Sequence, residues 1–171
     1  MSRQVASVES QAAQLAGAPV TTTFNGYFAA AIPGASANYK LRRLLIGVRG
    51  PAGSVTSDQH TIGIFRQTVR VVGTGFATTT FQSEDPRGVA AQATGIDATT
   101  AATAGTTGPT VNANPMHRLT FNTQGYEDVP FEFPDDMFIC DQGTANGLAL
   151  VNLGNALPAS HLYAVTFVIE E

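Results

Sequence analysis

HLYAVTFVIE, residues 161–170, is the clearest β-strand pattern in the chain. Apolar side chains recur along it with a period of two, which is the repeat of a strand. One side of the strand would carry Tyr163, Val165, Phe167 and Ile169. The opposite side would carry Leu162, Ala164, Thr166 and Val168. Because both sets are mostly apolar, we expect a central strand that is buried on both sides, or one with a side covered by a partner.

The same period recurs along most of the chain. Further strands are predicted over residues 39–48, 60–73, 76–81, 117–122, 137–140 and 147–153, and from residue 20 into the alanines that precede Pro33. A short piece around Phe131 lies between Pro130 and Pro134, which confine it to a sheet edge or a bend.

This pattern of about eight or nine short strands, joined by turns rich in Gly, Pro and Asn, predicts an all-β fold. A two-sheet antiparallel sandwich, of the jelly-roll type, fits the count best. An immunoglobulin-type sandwich is disfavoured because the chain has no Trp and a single Cys. Strands do not alternate with helices of 10–15 residues, which excludes a parallel α/β fold.

Residues 1–19 have a different period. Val5, Val8, Ala12 and Leu15 recur at spacings of three and four residues, which predicts a short helix. Its apolar stripe is narrow, so the helix must dock to stay ordered. It would dock on its own domain or on a partner, and we expect an arm that contacts another subunit.

The remaining residues, 20–171, are predicted to form one β-sandwich domain. Within it, residues 83–114 are rich in Ala, Thr and Gly and poor in large apolar side chains. We expect a long loop there, and loops of this length are usually functional or packed on a partner.

Charge and composition narrow the classes of function. Charged residues make up only 13% of the chain, and the formal net charge is −4. The nine basic residues are scattered rather than gathered in the stripe of a nucleic-acid binder. Lys40 is the single lysine and the rest are arginine, a bias found at protein–protein interfaces. We therefore expect a homo-oligomer, a trimer, that is packed against neighbouring proteins.

Membrane association and secretion are not expected. The sequence contains no apolar run of about 18 residues, which is the length that spans a bilayer as a helix. Residues 1–17 also lack the apolar stretch of a secretory signal.

Groups that could carry chemistry are sparse. The three histidines, His60, His117 and His161, each begin a predicted strand and lack a second ligand at metal-binding spacing. Cys140 cannot form an intramolecular disulfide and is typical of a small buried hydrophobe. The segment Gly73-Thr-Gly75 lacks the third glycine and the helix of a phosphate-binding loop. No nucleophile motif is present, so we predict no enzyme, no catalytic residue, no cofactor and no metal.

An acidic run and the tyrosines leave two alternatives open. The acidic run predicts a solvated turn, with a calcium site or an inter-subunit salt bridge as the alternatives; its members are Glu127, Asp128, Glu132, Asp135, Asp136 and Asp141. A carbohydrate-binding sandwich would use exposed aromatic side chains. The chain offers no Trp for this purpose, only Tyr27, Tyr39, Tyr126 and Tyr163.

The second half of the chain contains a series of short sequence patterns. They are EDPR at 84–87, a Thr/Ala/Gly run up to Pro109, MHRLTFN at 116–122, NGLAL at 146–150, NALPA at 155–159 and the aromatic last strand. Together these patterns resemble small structural proteins of tailed bacteriophages and prophages, and the likeness covers residues 84–171, about half of the chain.

This resemblance implies a virion component and no catalytic residues. The expected role is a capsid decoration protein that contacts itself and other virion proteins, such as the major capsid protein. A tail or connector component is one alternative, and a glycan-binding sandwich used in host adsorption is another.

Overall fold

A computed structural model describes residues 3–9, 26–50, 55–69, 76–85, 87–98, 110–131, 138–143, 145–158 and 161–171. Thirteen strands lie in these ranges. They are β1 (Arg3–Glu9), β2 (Tyr27–Ile32), β3 (Tyr39–Arg49), β4 (Gln59–Val69), β5 (Phe76–Thr80), β6 (Gln82–Ser83), β7 (Thr94–Ala98), β8 (Thr110–Val111), β9 (His117–Asn122), β10 (Tyr126–Pro130), β11 (Ile139–Cys140), β12 (Gly147–Asn152) and β13 (Leu162–Glu170).

The strands form two antiparallel sheets that pack face to face, which confirms the predicted all-β sandwich. The first sheet has the order β10-β3-β13-β1-β6, with β11 also paired to β3. The second has the order β5-β7-β2-β12-β4-β8, with β9 also paired to β4. The jelly-roll connectivity stays a prediction. Among the described residues, no helix is long and apolar enough to cross a membrane.

Strand β13 lies in the middle of the first sheet, between β3 and β1, as its sequence predicted. One side of the strand faces the second sheet, and its side chains Tyr163, Val165, Phe167 and Ile169 are buried. The opposite side points away from the sandwich. There Leu162, Ala164 and Thr166 are only partly buried, whereas Val168 is buried.

The prediction of an N-terminal helix is wrong for residues 3–9. This segment is strand β1, which pairs along its whole length with β13, so that Val5 lies opposite Val168. Gln4 and Ala6 are buried, and Ala6 belongs to the sandwich core. The edge of β13 offers seven residues of backbone pairing, which outweighs the weak preference of a narrow apolar stripe for a helix.

Because β1 belongs to the first sheet, residues 3–9 are part of the sandwich and not an arm detached from it. The boundary drawn after residue 19 therefore does not separate this strand from the rest of the domain. Ala12 and Leu15, which completed the predicted helical stripe, lie outside the described residues.

The long loop predicted over residues 83–114 is interrupted by two strands. Strand β7 inserts between β2 and β5 in the second sheet, and β8 pairs with β4. Ile96 of β7 is 1% exposed. One large apolar residue among small ones was too weak a local pattern to predict a strand. The backbone pairing of β7 with β2 and β5 stabilises the strand instead.

Buried aromatic and polar side chains connect the two sheets. Phe28 of β2 stacks on Tyr163 of β13, with ring centroids 4.2 Å apart. The Tyr39 hydroxyl group donates to the main-chain oxygen of Ala31 at 2.7 Å. Contacts of this kind satisfy polar groups inside the core and fix how the sheets stack.

The second sheet also has a buried apolar cluster on the side that faces away from the sandwich core. Its members are Tyr27, Ala30, Ile32, Phe65, Ile96, Val111, Ala149 and Val151. Gly63 lies beside this cluster, where a Cβ atom would come within 2.4 Å of the Phe65 ring. Because Gly63 has no side chain, the Phe65 ring can lie over Gly63 on the same strand.

Candidate interaction surface

The side of the first sheet that points away from the second is the candidate interaction surface. We call it the outer face; it consists of Val5, Ser7, Arg43, Leu45, Gly47, Tyr126, Asp128, Ala164, Thr166 and Val168. Side chains alternate between the two sides of a strand. The residues next to those of the outer face point into the core; they include Leu44, Ile46, Val165 and Phe167.

The strand register arranges these side chains in rows across the sheet. In the middle row, Thr166 lies between Leu45 and Ser7. The hydroxyl oxygens of Ser7 and Thr166 are 3.0 Å apart, so the two side chains share a hydrogen bond. In the adjacent row, Val168 of β13 lies opposite Val5 of β1. Beyond Asp128, which lies opposite Leu45 on the edge strand, the centre of the outer face is uncharged and consists of Leu45 together with small or β-branched side chains.

Tyr126 protrudes from this flat surface. It begins β10 at the edge of the sheet, and 73% of its area is exposed. Its neighbour across the pair of strands is Gly47, which has no side chain to cover the backbone. A shallow groove therefore runs from Tyr126 over Gly47 to Ala164, Thr166 and Ser7. A large exposed aromatic side chain beside an open groove is typical of protein contact sites.

Ion pairs close one end of the outer face. The Arg43 guanidinium donates from Nε to Asp128 Oδ1 at 2.6 Å and from its second nitrogen to Oδ2, a bidentate arrangement. These hydrogen bonds to Arg43 lower the pKa of the Asp128 carboxyl group. At the neighbouring position, two nitrogens of the Arg42 guanidinium contact a single carboxylate oxygen of Glu170, Oε2. The charges at this end are therefore matched within the chain.

The acidic run does not assemble into a cation site in the described part of the chain. Asp128 is held by Arg43 of the same chain, which removes it from the carboxylates free for calcium. The main-chain oxygen of Asp141 accepts a hydrogen bond from the side-chain amide of Asn146 at 3.3 Å. Glu132, Asp135 and Asp136 lie outside the described residues, as do Gly73 and Gly75. Among the described residues no group of three His, Cys, Asp or Glu side chains could hold a metal ion.

The three histidines lie in different surroundings. His60 is fully buried, with Nδ1 3.1 Å from the Tyr163 hydroxyl oxygen and Nε2 3.7 Å from the Asp58 carboxylate. Burial lowers the pKa of His60, and Asp58 partly opposes that shift. His161 is buried near Gly50. His117 is half-buried and sets its ring edge-on to Phe131.

Cys140 is fully buried, as predicted. It lies opposite Tyr39 in the pairing of β11 with β3. Burial raises the pKa of its thiol, so Cys140 stays protonated near neutral pH. The side chain is therefore a core group and not a reactive one.

The four tyrosines do not gather into a platform for a sugar ring. Tyr27, Tyr39 and Tyr163 are at most 2% exposed, and they belong to the two buried clusters. Tyr126 alone among them reaches the surface. Of the four tyrosines, Tyr126 alone is therefore placed to stack on a ligand.

The sequence predicted only part of the outer face. The apolar character of both sides of residues 161–170 predicted either a central strand buried on both sides or a strand with one side covered by a partner. The position of Tyr126 beside Gly47 depends on a pairing between residues about 80 positions apart in the chain, which no local pattern reveals. Comparison of the chain with protein-family models, with curated proteins and with solved structures found no match.

Proposed function

We propose that this chain is a non-enzymatic structural protein of a bacteriophage particle, most specifically a capsid decoration protein that assembles on the particle as a homo-oligomer. The observation that carries the proposal is the outer face of the first sheet. A flat surface centred on Leu45, Ala164 and Thr166, with Tyr126 exposed beside it, suits a protein that works by contact.

The composition supports the same role. A chain with 13% charged residues and a single lysine has few of the charges that keep a free protein soluble. Such a surface suits a protein that is surrounded by neighbours in an assembly, where many weak patches act together. The likeness of residues 84–171 to phage structural proteins points to the virion as that assembly. Its neighbours there would be further copies of itself and the major capsid protein.

The absence of a reactive arrangement among the described residues also favours a structural role over an enzymatic one. The buried polar groups Tyr39, His60 and Tyr163 bridge the two sheets rather than line an open site. The surface depression at the charged end is lined by side chains that are already joined in ion pairs, such as that of Arg43 with Asp128.

The decisive experiment uses particles of the phage whose genome encodes this chain. Purified particles should contain the chain by mass spectrometry in a number of copies comparable to that of the major capsid protein. Particles produced without the gene should bind the purified chain when it is added back. Cryo-electron microscopy of the two kinds of particle should then show extra density on the capsid surface that is restored on addition.

Two variants sharpen this test. Thr166→Arg places a charge at the centre of the outer face and should weaken binding to the particle at least tenfold. Thr120→Arg is the matched control on the second sheet, where Thr120 is exposed and shares a hydroxyl–hydroxyl contact of 3.0 Å with Thr61. It should bind like the parent.

Other outcomes would assign the chain elsewhere. Recovery in the tail fraction alone would support the tail or connector alternative, and binding to immobilised host glycans would support an adsorption role. Absence of the chain from purified particles would contradict the proposal altogether.

A further inference from the structure

We propose that the outer face of the first sheet pairs with the outer face of a second copy of this chain, around a two-fold axis. This deepens the proposed assembly role and rests on it for the assumption that the chain self-associates. The outer face carries Leu45 and Ala164, apolar side chains that are only partly buried and that gain from further removal from water.

The shape of the surface is self-complementary. It presents a protruding side chain, Tyr126, next to an open groove over Gly47, Ala164 and Thr166. A two-fold axis lying between them brings each Tyr126 into the groove of the other copy. Such an isologous contact uses one surface patch twice and closes after two copies.

The direction of the axis follows from the strand order. Tyr126 lies on β10 and the groove lies over β3 and β13, so the line from one to the other crosses the strands. The axis that exchanges them therefore runs parallel to the strands, close to Leu45 and Thr166. It leaves the strands of the two copies in similar directions, which is the aligned arrangement in which sheets commonly pack.

The size of the surface meets the lower limit for specific association. Four strands spaced about 4.8 Å apart, with about seven residues each, give a patch of roughly 20 Å by 24 Å. Pairing two such patches removes roughly 1,000 Å² from water in total, near the smallest area of a specific interface. We therefore expect a reversible dimer whose population depends on concentration in the micromolar range.

The charges near the interface do not oppose this contact. Asp128 and Arg43, the charged side chains of the outer face, are already joined by two hydrogen bonds. Covering the pair does not leave either charge without a partner, which is the costly case. The end with the ion pairs of Arg43 and Arg42 would form a polar rim beside the apolar centre.

The test is the mass of the purified full chain in solution, measured by sedimentation velocity and light scattering from low to high micromolar concentration. The parent chain should rise from 17.8 kDa to twice that mass. Thr166→Arg and Tyr126→Ala should each raise the dimer dissociation constant at least tenfold. The matched control Thr120→Arg, on the other sheet, should dimerise like the parent. All variants should keep the circular dichroism spectrum and cooperative unfolding of the parent.

A photo-crosslinking phenylalanine derivative in place of Tyr126 gives a direct test of the geometry. It should join two copies, with the crosslink mapping by mass spectrometry to residues 164–166 of the second copy. A crosslink elsewhere, or a dimer that Thr166→Arg leaves intact, would overturn the proposed pairing.

The remaining outcomes separate this inference from the proposed function. A chain that stays monomeric at every concentration but binds capsids through the outer face would overturn the pairing and assign that face to the capsid. A three-chain mass, which is the trimer expected from the sequence, would overturn the two-fold arrangement while leaving an assembling virion protein.

Discussion

The hydroxyl group of Tyr39 on β3 donates a 2.7 Å hydrogen bond to the main-chain oxygen of Ala31 on β2, and so ties one sheet of the sandwich to the other. Both residues are at most 1% exposed. Burial raises the pKa of Tyr39, so the hydroxyl group is protonated and can donate at neutral pH. A buried donor and acceptor that satisfy each other across the sheets favour one relative placement of the two layers.

We predict that Tyr39→Phe lowers the free energy of unfolding by roughly 1–2 kcal/mol, because the ring is kept while the buried hydrogen bond is lost. The measurement is urea unfolding followed by circular dichroism. Tyr126→Phe is the matched control, since that side chain is 73% exposed and should change the free energy by less than about 0.5 kcal/mol. Equal effects of the two changes would contradict the role assigned to the bond between the sheets.

The sequence predicted most strands of this fold because their alternation is local. Residues 161–170 show the pattern without reference to any partner, and β13 begins and ends within one residue of that range. The same holds for β3, where the predicted 39–48 became Tyr39–Arg49. Large apolar side chains at every second position specify both the strand and the side that faces the core.

Strands β1 and β7 were missed because their pairing partners are distant in the chain. Val5 lies opposite Val168, and Ile96 lies opposite Ala30. In each case the strand is selected by an available sheet edge and not by its own propensity. The outer face shows the same limit. The apolar outward side of β13 was visible in the sequence, but the place of Tyr126 beside Gly47 depends on the strand order.

The first strand provides a prediction that separates a strand from a helical arm. Ala6 is 3% exposed and faces the core, whereas its neighbour Ser7 is exposed. Ala6→Asp buries an unpaired carboxylate and should lower the free energy of unfolding by roughly 3 kcal/mol or more. Ser7→Asp should cost less than about 1 kcal/mol. Thermal unfolding of both variants provides the comparison, and similar melting temperatures for the two would contradict the placement of β1 in the sheet.

Removal of residues 1–9 should have a larger effect than either substitution. It leaves the edge of β13 without its partner and opens the core at Ala6. We expect loss of cooperative unfolding, together with aggregation through the newly exposed strand edge. A truncated chain that melts like the parent would show that the strand contributes little to the sandwich.

His60 provides a prediction on pH dependence. Burial lowers its pKa below 6.5, while in the unfolded chain the ring titrates normally, so the unfolded state binds more protons between these two values. Stability should therefore be complete above the unfolded pKa and should fall as the pH drops from about 7 towards 5. Tyr163 and Asp58 are the titratable groups beside the ring, and Asp58 opposes part of the loss.

The check is the urea midpoint at several pH values between 5 and 8. His60→Gln removes the titrating ring, so the variant should show a smaller loss between pH 7 and 5 than the parent. His117→Gln is the matched control at a half-buried histidine, and it should keep the parental slope. An unchanged slope in His60→Gln would mean that other groups cause the acid sensitivity.

The last prediction concerns the two sides of β13. Phe167 is fully buried in the sandwich core, whereas its neighbour Thr166 lies on the outer face and is only partly buried. Phe167→Ala removes a ring from a packed interior and leaves a cavity, which should lower the free energy of unfolding by roughly 3–5 kcal/mol. Thr166→Ala leaves no cavity and loses only the hydroxyl contact with Ser7, so it should cost less than about 1 kcal/mol. Urea unfolding of the two variants at low protein concentration measures these costs without a contribution from self-association. If Phe167→Ala proved nearly neutral, β13 would not be the central strand of the first sheet, and the assignment of its outward side as the contact surface would be wrong with it.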